Sequence, residues 1–403
     1  MEQQLRTWLR YGILHGIYLG ETNNGTTLQV PRKASKHQAW TAAPKKLTLR
    51  ALLQRVHMYI LLCVIGALYI HGLTWLDFIP GLMLTWVSGT VIFTTQICTN
   101  FIIVLEALWK QPEHEAFLLL LDEIEVSLKL RLRQDVQPLL LHRIVRTHLI
   151  YLLALSLASI TLFIITSLWL NYIGYFWHGL WSIITMRLRI IQLVIYVRVL
   201  RHYLECLCTK LRQIEAYRTA PAQLLLDINY EKLASLEYLL AVKEIYMLLH
   251  KAFELLNSFA GWSMFSIIAC YMFDFTCNLY WTLLSLDGFV RRRYYYIAGP
   301  AAMMPLIALI CHLCYLCDNC TKLGRTVAHL LSKITIMSTA GSLSSYRLAL
   351  YQLSAQLQLQ RIEVTAEHFF VLEMRFLMTI FFSDLYGSSN ELGDTDTIFK
   401  FLN

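Results

Sequence analysis

Charge is scarce in this chain. Asp, Glu, Lys and Arg together make up 15% of its 403 residues, against 57% hydrophobic and 13% aromatic, a balance foreign to soluble globular domains. The signatures of catalysis are missing as well. There is no Gly-rich phosphate loop, no HExxH run and no nucleophile elbow, and His142 and His148 have no carboxylate at a matching spacing. An enzyme reading therefore has no motif to rest on. A short apolar leader with a small-residue cleavage site is absent too. Arg6 and Arg10 frame a weakly amphipathic start, so insertion is expected to depend on the first spanning helix. The ten cysteines do not make a disulfide framework. Cys63, Cys98, Cys270, Cys311 and Cys314 lie inside apolar runs, where a thiol behaves as a small hydrophobe. Cys311, Cys314, Cys317 and Cys320 recur every three residues, a spacing that drifts around a helix rather than closing on an ion, so packing outweighs a zinc site. No metal and no cofactor is expected.

What the chain does have is long apolar runs. They span about Met58 to Leu76, Gly81 to Ala107, Leu149 to Leu170, Tyr172 to Val194, Leu255 to Leu284 and Tyr296 to Tyr315, the last expected to break near Gly299-Pro300. Between them, residues 108–146 and 195–252 are charged but keep apolar residues at helical spacing, so they read as extensions of membrane helices. The expected fold is all-α: a polytopic membrane helical bundle with about seven transmembrane helices and long cytosolic helix extensions. The expected divisions are a cytosolic amino-terminal region 1–56, six transmembrane helices within 57–318, a cytosolic helical anchor segment 319–368, a short last helix 369–386 and a polar tail 387–403. With seven crossings, the Lys- and Arg-rich segments fall on one side, which the positive-inside rule makes the cytosol. Arg291-Arg292-Arg293 is the exception.

Arg187, Arg189 and Asp274 stand well inside apolar runs. Arg187 and Arg189 are expensive at mid-membrane unless they lie near the inner interface or face the bundle or a water-filled cavity. Asp274 has no acidic partner on its own helical face and must be neutral, paired or wet. A ligand site is expected among the outer halves of the second to sixth helices, where aromatic and polar groups meet. The candidates are Trp86, Thr90, Trp169, Phe176, Trp177, Trp181, Trp262, Asp274 and Tyr280. Amphipathic rings also serve as interfacial anchors, so only an inward-facing cluster makes an apolar pocket.

Near the carboxyl end, Thr365-Ala366 is followed by Phe369-Phe370, then Leu372-Glu373 and an apolar run. This wording resembles the start of the last transmembrane helix in the insect gustatory receptor family, and at that level it covers about Tyr346 to Ile380. The resemblance implies a ligand-gated cation channel with a cytosolic amino terminus, assembled as a homo- or hetero-tetramer with related subunits around the last helix. It also implies the plasma membrane of chemosensory neurons. The implied partners are a small-molecule tastant, permeating cations and membrane lipid, with no nucleic acid. On that resemblance Leu372, Phe376, Thr379 and Ser383, at helical spacing, would line the pore and Glu373 would stand at its entrance.

The chain departs from the family pattern after Phe382. In place of a threonine-tyrosine, apolar, glutamine-phenylalanine ending it reads Ser383-Asp384-Leu385-Tyr386-Gly387. A helix from Phe369 to Ser383 would rise about 22 Å, short of a hydrocarbon core of about 30 Å. The alternatives are therefore a membrane transporter, or a non-conducting, degenerate or regulatory receptor subunit. A transporter calls for matched broken helices in two halves, and Gly299-Pro300 has no counterpart in the first half.

Overall fold

A computed structural model describes residues 9–10, 12–19, 49–74, 83–133, 138–169, 176–219, 236–286, 293–337, 348, 351–353, 355, 360–367, 369–375 and 379. Phe376, Ser383, the side chain of Phe176 and the polar tail 387–403 lie outside the described residues. Seven long helices are described: α1 Leu49–Leu73, α2 Met83–Trp109, α3 Gln111–Arg131, α4 Pro138–Trp169, α5 Phe176–Thr219, α6 Leu236–Leu286 and α7 Arg293–Met337. A hairpin of two short strands follows, β1 Thr365–Ala366 and β2 Phe370–Val371. The protein is an all-α, multi-pass membrane helical bundle.

Length decides how the bundle is divided. α5, α6 and α7 have 44, 51 and 45 residues, so each rises roughly 65 to 75 Å, about twice a hydrocarbon core. About half of each stands beyond the bilayer. There the three extensions pack with α3 into one apolar core, from Phe117 and Ile124 through Leu204, Leu207 and Leu249 to Leu330. We call this the extension end, and the opposite side, where short connections join α1 to α2, α4 to α5 and α6 to α7, the short-loop end. α5 is the axis: every residue from Arg189 to Val197 is buried, apolar on every face except for Arg189 and Gln192. α1 and α4 sit at the edge. Within their most apolar windows only 22% and 17% of residues are buried, against 61% in α6, and Tyr59, Ile60, Ile70, Leu157 and Ile165 are left to face lipid.

Four local outcomes differ from the sequence expectation. The first concerns α7, which runs unbroken through Gly299-Pro300, because in lipid an interrupted backbone costs more than one missing amide. Next, α2 does not simply continue into solvent. It ends at Trp109, Lys110 turns the chain, and α3 restarts with Pro112 in its first turn, where the absent N–H costs nothing. The amino-terminal residues also tuck inside: Leu9, Ile17, Tyr18 and Leu19 are buried, and Gly16 has φ 71. A Cβ on Gly16 would lie 2.7 Å from Leu61 and 3.0 Å from Val104, so only glycine fits.

The fourth difference matters most. Phe369 does not open the last helix, because Phe370 and Val371 pair antiparallel with Ala366 and Thr365. Aromatic and β-branched residues suit a pleated pairing, and Glu367 makes the turn with φ 47. The Phe369 amide donates to the Ala366 carbonyl at 3.0 Å and the Leu372 amide to the Val364 carbonyl at 2.9 Å. Helical structure resumes only at Met374 and Arg375.

Candidate functional site

The most heavily bonded polar site sits where α2, α3, α5 and α6 meet. Glu106, the only acid in the apolar run of α2, and Arg189 of α5 form an ion pair at 3.1 Å with side chains 3% and 1% exposed. Both reach onto the same turn of α6. The Trp262 and Ser263 amides donate to Glu106 at 3.0 and 3.2 Å, the Ser263 hydroxyl donates to it as well, and Arg189 donates to the Phe259 carbonyl at 3.0 Å. Phe259 and Ser263 are i, i+4 partners in a regular helix, so acid and base hold the two ends of one helical hydrogen-bond position. Arg189 also donates to Gln192 at 2.8 Å, Gln192 to the Tyr196 hydroxyl at 3.1 Å, and that hydroxyl meets His114 of α3 at 2.7 Å. The His114 ring stacks on Phe259 at 4.4 Å. Arg189 and Arg187 both face the interior of the bundle, 1% and 4% exposed. A buried pair is sustained in apolar surroundings by hydrogen bonds to its remaining donors and acceptors; both Glu106 oxygens have them, while Arg189 Nε has no partner among the described residues.

The same stretch of α6 carries the hairpin. A Cβ on Gly261 would lie 2.5 Å from the Glu367 carboxylate and 2.9 Å from its amide, so the bare backbone of α6 is the seat of the turn. Asn257 brackets it, donating to the Glu363 carbonyl at 3.0 Å and accepting from the Thr365 amide at 3.1 Å. The Tyr246 hydroxyl donates to the Gln360 carbonyl at 2.8 Å. Phe369 packs against Phe265 at 5.0 Å and Trp262 at 6.2 Å between ring centroids. From this seat the chain passes directly to Met374 and Arg375. One turn of α6 is thus held by the ion pair and also bears the start of the last helix.

The expected pore stripe is divided by this geometry. Leu372 is 1% exposed and belongs to the subunit's core, so it is not on a free helical face. Glu373 is half-buried, 3.9 Å from Arg325 of α7, while Thr379 is exposed and donates to the Arg375 carbonyl at 2.9 Å.

Nor do the described ligand candidates form one cluster. About 27 Å of helical rise separates Trp262 from Tyr280, and Trp262 belongs to the hairpin seat rather than to the outer half of α6. Trp169 is 69% exposed, a rim position, and Trp177 is 37% exposed. Trp181 is half-buried and stacked on His15 of the amino-terminal segment at 4.4 Å. Trp86 and Thr90 are half-buried on α2, the Thr90 hydroxyl donating to the Trp86 carbonyl at 2.8 Å. Asp274 and Tyr280 are half-buried on α6.

What does come together is a polar group around Asp274. Asn278 donates to its carboxylate at 2.6 Å, and Arg187 interacts electrostatically with both Asp274 and the buried Tyr271. Arg187 is itself held by the Ser156 carbonyl at 3.0 Å and the Ser159 hydroxyl. Sequence reasoning missed Glu106, Asn257, Gly261 and His15. For Glu106 the signal was present, a single acid in an apolar run, whereas Asn257, Gly261 and His15 gave none. Cysteines add no reactive group beyond the bilayer, where burial pushes the Cys206 and Cys208 thiols up to about 11.

Comparison with known proteins decides the family. The family model described as 7tm Chemosensory receptor matches residues 6–384. The chain belongs to the 7tm chemosensory receptor family. A Drosophila melanogaster protein bearing the provisional name gustatory receptor 39b is 27% identical over 206 residues, 51% of this chain and 56% of that protein. This receptor-family chain thus spans about half the length of the curated relative it matches. The insect olfactory receptor OR5 of Machilis hrabei, solved in complex with eugenol, superposes with a TM-score of 0.61 at 12% identity, covering 97% of this chain and 99% of that one. The same receptor without eugenol gives 0.54 at 11% identity over the same shares. At such identity the likeness establishes the fold. Membership of a receptor family also places the protein outside the enzyme classes.

Proposed function

We propose that this chain is a gustatory-type subunit of a ligand-gated cation channel that detects small, largely apolar tastants. It works with its amino terminus in the cytosol of a chemosensory neuron, in a homo- or hetero-tetramer with related subunits. The observation that carries the reading is the hairpin seat. A helix whose outer half borders the polar group around Asp274 bears, on Gly261, the lead-in to the last helix, so displacement of α6 moves that helix. The ligand would enter the outer halves of α2, α5 and α6, among Trp86, Thr90, Trp177, Trp181, Asp274 and Tyr280. In the tetramer Thr379, with Phe376 and Ser383 at helical spacing, would line the ion path, and Glu373 would stand near its entrance. Support for a small-molecule ligand comes from the fold shared with a receptor solved in complex with eugenol.

The test is whole-cell recording from cells expressing the full chain, alone and with a related receptor subunit, during application of eugenol and a panel of tastants. A ligand-evoked cation current that Thr379→Trp blocks without lowering surface expression is expected. Lack of current under every combination, with the protein at the surface, sinks the channel reading. A second reading, a subunit that conducts only beside a relative, is favoured by the run Ser383-Asp384-Leu385-Tyr386-Gly387 where the family pattern continues apolar. It predicts current in the mixed expression only.

A further inference from the structure

We propose that His71 and His178 form a binding site for a divalent transition-metal ion of the zinc class at the short-loop end, bridging α1 to α5. His71 lies in the last turn of α1 and His178 in the first turn of α5, and their facing ring nitrogens, Nδ1 of His71 and Nε2 of His178, are 2.7 Å apart at an exposed position. The backbones are built to bring them there. A Cβ on Gly72 would lie 3.1 Å from the Cβ of His178 and would clash with the Phe93 ring, so α1 approaches α5 through a bare glycine. Thr74 fixes the helix end, donating its amide at 3.1 Å and its hydroxyl at 2.6 Å to the His71 carbonyl.

The chemistry fits a metal ion without loss of a proton. At neutral charge one ring donates to the other. If His71 carries its proton on Nε2 and His178 on Nδ1, both facing nitrogens present lone pairs, and a zinc-class ion bound by two imidazoles at about 2.0 to 2.1 Å holds them about 3.3 Å apart. The opening needed, about 0.6 Å, is within the reach of a small side-chain torsion. Among the described residues these two imidazoles are the protein ligands the site offers, since no group of three or more His, Cys, Asp or Glu converges on one point. Two imidazole ligands give the site modest affinity and a preference for zinc, copper or nickel over magnesium or calcium. Occupied, it pins α1 against α5 beside Trp177 and the Tyr69–Thr94 contact, at the mouth of the proposed ligand region.

The experiment needs no current, so it stands or falls apart from the channel reading. Full-length protein purified in detergent is melted while Zn²⁺ is raised to roughly 1 mM, with Mg²⁺ as control, because an ion binding only the folded state raises the melting temperature by mass action. A Zn²⁺-dependent rise is expected, with its midpoint displaced at least about tenfold in His71→Gln and in His178→Gln and unmoved in His312→Gln. Should the two glutamine variants fail to fold, Cu²⁺ electron paramagnetic resonance on the unaltered protein reads the site directly through coupling to imidazole nitrogens. No Zn²⁺ response, an equal response in the double variant, or Cu²⁺ without nitrogen coupling overturns the proposal.

Discussion

The two halves of the bundle connect their polar residues to different extents. Around Ser263, at the extension side, polar groups bind across helices: Glu106, Arg189, Gln192, Tyr196 and His114 join four helices in one continuous network. Toward the short-loop end, threonine hydroxyls such as those of Thr90, Thr95, Thr276 and Thr282 return to their own helix, and the contacts that do cross, Tyr69 to Thr94, His71 to His178 and Arg187 to Ser156 and Ser159, are separate rather than one network. The first arrangement fixes one geometry, and the second tolerates several. A receptor needs both, since an adaptable half can fit a ligand only if a rigid half passes the change to one place. That place is the turn of α6 from Asn257 to Phe265, where the network and the hairpin meet.

Breaking the rigid half is expected to have the largest effect. Removing one member of a buried pair leaves its partner's charge uncompensated, at a cost of about 3 to 5 kcal/mol. Glu106→Ala should therefore lose most of the folded, monodisperse protein in fluorescence-detected size-exclusion chromatography. Glu106→Leu with Arg189→Met should recover much of it, because the Trp262 and Ser263 amides can return to their helical partners. A melt of Glu106→Ala close to that of the unaltered chain would show that the network does not hold the helices. Next in size is Gly261→Ala. Its methyl group must displace Glu367, and overpacking of this kind costs roughly 1 to 3 kcal/mol. The thermal midpoint should fall, and limited proteolysis should cut faster between Gln360 and Leu372 than in α1. Unchanged cleavage there would separate the hairpin from α6.

Much of this comparison was legible in the sequence, but unevenly. The membrane bundle followed from apolar runs long enough to span a bilayer, and extensions from charged stretches that kept helical spacing, because both signals are periodic and local. The Asp274 region was legible for a similar reason: a lone acid among Tyr271, Phe273 and Phe275 is costly enough to demand a partner. Identifying Arg187 as that partner was not, because the two residues stand on different helices and only the packing of α5 on α6 brings them together. The hairpin was hidden by composition. Phe369, Phe370, Val371 and Leu372 read equally as a helix start and as strand residues, and nothing in Gly261 announces that a turn will rest on it. Trp262 was assigned to the wrong half since an indole looks the same at a ligand site and at a hairpin seat.

A smaller effect is expected from Asn257→Ala, which sharpens the boundary between the two halves. The side chain donates to one backbone group of the segment before the hairpin and accepts from another, 3.0 and 3.1 Å away, and no other residue brackets β1 in this way among those described. Two net hydrogen bonds contribute about 1 to 3 kcal/mol, less whatever water recovers at this half-buried site. Asn257→Asp keeps the acceptor and loses the donor, so it should fall between the two in thermal midpoint. If alanine and aspartate melt alike, the Thr365 contact carries nothing.

The smallest effect on folding is expected where the adaptable half is altered. Asp274 is half-buried, accepts from Asn278 at 2.6 Å and interacts electrostatically with Arg187, whose own guanidinium is already held by Ser156 and Ser159. Asp274→Asn preserves shape and a hydrogen-bonding carbonyl, and the arginine keeps its serine partners, so the thermal midpoint should move by less than about 1 kcal/mol equivalent. Response should change far more than stability. Removing the carboxylate alters the charge that a ligand meets between α5 and α6, and leaves the seat at Gly261 about 20 Å away along the helix untouched. In a ligand-responsive assembly, the dose-response midpoint should shift by about threefold or more while surface expression stays level, a change of roughly 0.6 kcal/mol in binding. Two results would redraw the comparison. A large loss of folded protein would make Asp274 part of the rigid scaffold, and an unchanged dose response would move the ligand region away from α6.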